Sequence, residues 1–170
     1  MSRKTRMLTL SALFTALTVI SLYIASVWPT GLYGLVAFAS MFCAAAVIDA
    51  GISYGLYVYI ISSVLGIILL PDKAAPVLYI FFFGYYPVVK SLIERLHKAV
   101  FQWVMKLLVF NAALTIMWFL FRNLIFSIDN KLSYLFLLYL GGSVVFAIFD
   151  YGFTKVIWLY INRISKYIHR

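Results

Sequence analysis

Ionisable side chains are sparse in this chain, and their placement limits the chemistry open to it. Asp49 and Asp150 each sit within apolar sequence, with Lys155 five residues after Asp150 and Lys106 on a preceding apolar run. Such carboxylates can form ion pairs near a membrane boundary, where long side chains reach toward water. They can also relay protons, which calls for an acidic group near the middle of a crossing. Neither aspartate falls there, so ion pairing is the expectation. Asn111 lies near the middle of its apolar run, four residues before Thr115, so both occupy one face of a helix. That face can hydrogen-bond to a neighbouring helix or contact a ligand. Gly141-Gly142-Ser143 would let another backbone approach closely.

A second group gathers at the polar breaks between apolar runs. It comprises Trp28, Thr30 and Tyr33 at the first break, Asp72 and Lys73 at another, and Arg122 and Asn123 at a third. Aromatic rings offer stacking surfaces and charged groups offer directional contacts, the combination a small polar ligand needs in an apolar pocket. The competing reading is an aromatic belt with solvated loop charges, including an Asp72–Lys73 pair. Catalytic constellations are missing from the pattern: there is no Ser/His/Asp arrangement, no HExxH pair and no glycine-rich phosphate loop. His97 and His169 both lie on basic segments, and the single cysteine, Cys43, is embedded in apolar sequence. The expectation is therefore a protein that is not an enzyme, with no metal and no cofactor.

The elements that must carry these residues follow from composition. Of 170 residues, 65% are hydrophobic and 11% charged, with a mean hydropathy of +1.03, against about 25% charged in soluble domains. At roughly 20 residues per apolar crossing, the length accommodates several crossings and little else. Apolar runs broken by turn signals give spans at about 7–27, 32–48, 52–70, 77–89, 101–121 and 132–160. Trp28-Pro29-Thr30-Gly31, Asp49-Ala50-Gly51 and the stretch from Pro71 to Pro76 supply the breaks. Gly84-Tyr85-Tyr86-Pro87 predicts a kink in the fourth span, and the basic segment from Lys90 to Lys98 could prolong that span in the interface. Unbroken apolar runs lack the alternation of a barrel, so the spans are helices.

The predicted class is an all-α polytopic membrane protein: a single transmembrane domain of about six helices, with both termini cytoplasmic. Eleven basic residues, among them Arg3, Lys4, Arg6, Arg95, Lys98 and Arg163, fall on the side of the termini, against Lys73, Arg122 and Lys131 on the other. The net charge of +9 is thus a topology signal, and nucleic acid is not an expected partner. The apolar stretch after Arg6 exceeds the ~7–15 residues of a signal-peptide core, so it is expected to stay as a helix.

The basic N-terminus leading into Leu8-Thr9-Leu10-Ser11-Ala12-Leu13-Phe14-Thr15-Ala16-Leu17-Thr18-Val19 resembles the first helix of the substrate-binding S components of energy-coupling factor transporters. Six helices, chain length and cytoplasmic termini are similar as well. In that family an Ala-x-x-x-Ala motif on the first helix packs against a transmembrane coupling subunit, and Ala12 and Ala16 match its spacing. The resemblance implies a capture subunit for a vitamin-like small molecule, energised by that coupling subunit and two ATPase subunits. It also implies that the loop from Trp28 to Tyr33 closes over the ligand as a lid. The alternatives are a scaffold of a cell-envelope assembly, similar to the rod-shape-determining membrane protein, and an ion-coupled carrier or intramembrane enzyme using Asp49 and Asp150.

Overall fold

The computed structural model describes residues 3–96, 98–125 and 132–165, with side chains at 4–28, 30–96, 98–120 and 138–163. Among these residues there are helices and turns and no strand. Helix α1 spans Arg3–Val27, α2 Leu32–Asp49 and α3 Ile52–Leu69. Two short helices, α4 (Ala74–Leu78) and α5 (Tyr86–Ile93), flank a π-turn at Tyr79–Phe83. They are followed by α6 (Ala99–Ile125) and α7 (Leu132–Tyr160). Counting Ala74–Ile93 as one crossing, six segments among the described residues are long and apolar enough to span a bilayer. The protein is therefore an all-α, multi-pass membrane protein.

The ends of α2, α3 and α7 lie within a residue of the sequence reading, α1 starts at Arg3 instead of 7, α6 spans Ala99–Ile125 instead of 101–121, and the fourth crossing differs at both ends. It starts at Ala74 instead of 77 and runs to Ile93 instead of 89. Pro76 stands in the first turn of α4, where its missing N–H leaves no bond unmade. Lys90 does not end the crossing either. It is buried, with Nζ 5.9 Å from the centre of the Tyr86 ring. The expected break lies before Pro87. The N–H of Gly84 donates to the carbonyl of Tyr79 at 2.6 Å, closing a π-type turn. The helix then restarts, with Pro87 in its first turn and the Tyr85 carbonyl accepting from Val88 and Val89. Gly51, at φ 105°, opens α3 in a backbone region that L side chains avoid.

The chain forms two compact units: residues 1–92 with 156–170, and residues 93–155. In the first, α1 packs along α2 and α3, and α4 closes on all three. The buried face of α1 is rich in hydroxyls, including Ser11, Thr15 and Thr18. Each donates to a carbonyl one turn back on α1: Met7 (2.9 Å), Ser11 (2.8 Å) and Phe14 (2.7 Å). Satisfied within their own helix, these groups act as small side chains and let helices approach. Facing partners are equally small, with Ala39, Ser40, Cys43 and Ala44 to Ala46 buried on α2. Lipid gives no hydrophobic drive for helices to associate, so such close packing does much of the holding.

The second unit is built on the α6–α7 pair. Phe110 and Phe146 stack with centroids 4.6 Å apart and planes 18° apart. One turn further along α6 and one turn back along α7, Leu114 lies against Gly142, where an added Cβ would come within 3.1 Å of Leu114 Cδ1. Contacts that advance on one helix while receding on the other define an antiparallel hairpin.

Candidate functional sites

Polar pairs follow the same register through the α6–α7 hairpin. Lys106 Nζ lies 3.0 Å from Asp150 Oδ2 and 2.9 Å from Glu94 Oε1. Lys106 stands seven residues into α6, about 10 Å along the helix at 1.5 Å per residue. Asp150 stands ten residues before the end of α7, about 15 Å from it. Side-chain exposure is 6% for Lys106 and 3% for Asp150, against 41% for Glu94. Asp150 is ion-paired as the sequence reading expects, through Lys106 and not through Lys155, whose Nζ lies 5.5 Å from the Tyr151 ring centre. The pair sits well inside the helices and not at the membrane boundary where that reading placed it, because Asp150 falls at the middle of the crossing Leu138–Arg163. Glu94 was not legible as a partner, because only the folding back of the turn before α6 brings it there.

Further along the hairpin, Asn111 Nδ2 donates to the Leu107 carbonyl at 2.8 Å and reaches Ser143 Oγ at 3.5 Å. Thr115 Oγ1 and Tyr139 Oη lie 2.7 Å apart. The shared face of Asn111 and Thr115 thus meets α7, as interhelical glue requires. Tyr139 is the partner that spacing within α6 alone could not show.

In the first unit, Asp49 ends α2 and is 3% exposed. A carboxylate at a helix C-terminus opposes the helix dipole, and Tyr160 Oη offsets this by donating to Asp49 Oδ2 at 2.5 Å. A tyrosine cluster holds the π-turn. Tyr59 Oη donates to the Ile80 carbonyl at 3.1 Å, and Ser62 Oγ is hydrogen-bonded to Tyr79 Oη, also at 3.1 Å. Gly84 makes room for the rings: a Cβ there would lie 2.6 Å from Tyr79 Cε1 and 2.8 Å from Tyr59 Cδ2. Glycine within an aromatic run was the one sequence sign of this close approach. Cys43 is buried, and its thiol donates to the Gly55 carbonyl at 3.4 Å.

The loop residues of the first unit share the end where α1 and α3 finish and α2 and α4 begin. Trp28, Thr30 and Tyr33 are exposed there. Asp72 and Lys73 do not pair with each other. Asp72 Oδ1 accepts the Ala74 N–H at 3.2 Å, at the start of α4. Lys73 Nζ donates to the carbonyls of Ile67 (2.7 Å) and Leu70 (2.6 Å), capping α3 with the charge its dipole favours. Arg122 and Asn123 fall in the last turn of α6, and their side chains lie outside the described residues. Ala12 and Ala16 are exposed one turn apart on α1, beside exposed Leu13 and Ile20 and away from the hydroxyl face. Among the described residues, no three His, Cys, Asp or Glu side chains converge as a metal site would require.

No family model matches this chain, and neither a curated protein nor a solved structure matches it.

Proposed function

We propose that this membrane protein is the substrate-capture subunit of an importer of a small vitamin-like molecule, energised by a transmembrane coupling subunit and two ATPases. The observation that carries the reading is the two-sidedness of α1. One face is spent on α2 and α3, while the opposite face presents Ala12 and Ala16, small enough for a partner helix to approach. At the end of α1 remote from the N-terminus, exposed Trp28 and Tyr33 offer rings for ligand contact. Work would come from unequal affinity in two states, since a ligand held equally in both is not moved by any coupling event.

The test is purification of the tagged chain from its native membrane in mild detergent, beside an A12R/A16R variant, with mass spectrometry of proteins and small molecules. The expected result is a membrane subunit with ATPases and a retained metabolite, the protein partners being lost in the variant. Envelope-assembly proteins recovered without ATPases or metabolite would replace this reading with a scaffold.

A further inference from the structure

The turn between α5 and α6 joins two membrane crossings and therefore lies where bilayer meets water. α6 staples it in place. Gln102 Nε2 donates to the carbonyls of Leu96 (2.6 Å) and Glu94 (3.4 Å), and Lys106 donates to the Glu94 carboxylate. These bonds hold the one acidic side chain of the turn against the buried lysine. Arg95 and Lys98 remain exposed, and no carboxylate pairs with either among the described residues. With Glu94, Lys106 and Asp150 included, three cations stand against two anions. Directly after Lys98, Val100, Phe101 and Trp103 are exposed on the first turn and a half of α6. Lys106 Nζ lies 5.7 Å from the Trp103 ring centre, which helps to fix that ring.

Two exposed cations close in sequence to exposed aromatic and aliphatic side chains complement a ligand that is anionic at one end and apolar at the other. At a bilayer surface that description fits an acidic phospholipid. We infer that Arg95 and Lys98 bind the headgroup phosphate of an acidic phospholipid, with Val100, Phe101 and Trp103 along the acyl chains. The inference does not depend on the capture reading, because every residue in it belongs to the unit formed by residues 93–155.

The test uses the full chain in mild detergent, offered phosphatidylglycerol and phosphatidylcholine of identical acyl chains in equal amounts, with retained lipid read by native mass spectrometry. Each basic side chain near an anionic surface is worth about a factor of five, so two should give a preference on the order of ten-fold or more for phosphatidylglycerol. R95Q/K98Q should bring the preference close to parity, and K4Q/R6Q should leave most of it. All four positions are exposed, and elution volume and helical signal would confirm that the variants fold. Equal retention of the two lipids by wild type would overturn the inference. So would an unchanged preference in R95Q/K98Q, or an equal loss in K4Q/R6Q. Displacement of the lipid by excess inorganic phosphate would reassign the turn to a free anion and equally refute the lipid site.

Discussion

Replacing Lys106 by methionine isolates what the buried charges contribute. The substitution keeps most of the side-chain volume and removes the ammonium 3.0 Å from Asp150, a carboxylate only 3% exposed. Asp150 makes further contacts, so the loss should reach at most the roughly 3–5 kcal/mol of a broken buried ion pair. At roughly 1.4 kcal/mol per factor of ten, 3–5 kcal/mol is about two to three and a half powers of ten in the folding equilibrium. Asp150→Asn should cost less, about 1–3 kcal/mol, because the amide still hydrogen-bonds and Lys106 keeps Glu94 at 2.9 Å. K106M/D150L should return to within about 2 kcal/mol of wild type, since an apolar pair of similar volume replaces an ion pair at little cost. The assay is equilibrium unfolding in mixed micelles of rising sodium dodecyl sulfate fraction, followed by circular dichroism. Wild-type stability in K106M, or a double variant as unstable as K106M, would show that the pair does not hold the α6–α7 hairpin together.

Other positions give independent checks. Gly84→Ala places a methyl group 2.6 Å from a Tyr79 ring carbon, so it should lower the unfolding midpoint by the 1–3 kcal/mol typical of overpacking. Pairing it with Tyr59→Ala should recover part of the loss, and no recovery would remove the steric explanation. Gly51→Ala should destabilise by about 1 kcal/mol through its φ of 105° alone, with no contact altered, since nothing lies within 4 Å of the added carbon. A double-mutant cycle on Thr115→Val and Tyr139→Phe should give a coupling near 0.6 kcal/mol and no more than about 1.7 kcal/mol, the range of hydrogen bonds between membrane helices. A coupling of zero would mean that the hydroxyls do not meet in the membrane.

Hydropathy made the crossings legible, because a bilayer imposes one length and one composition on every span. The two misplaced ends of the fourth crossing have a common cause. Pro76 and Lys90 read as helix stops, yet a proline in a first turn costs nothing and Lys90 is buried against Tyr86. Local caps were equally hidden. Asp72 and Lys73 looked like ligand contacts or a mutual pair, and whether a side chain turns back to a helix end depends on backbone geometry that residue type does not encode. The readings that reached across helices succeeded on one side only. Asn111 and Thr115 share a face by spacing, but Ser143 and Tyr139 come opposite them through the register of α6 and α7, which no single segment determines.

The outward face of α1 carries the functional account, and site-specific photo-crosslinking in native membranes tests it most directly. A photoreactive residue at position 12 or 16 would be compared with one at buried Thr15. The account predicts that positions 12 and 16 capture the same membrane subunit, that this adduct co-purifies with ATPases, and that position 15 crosslinks only within the chain. Adducts at positions 12 and 16 with lipid alone, in membranes where the chain is functional, would contradict it.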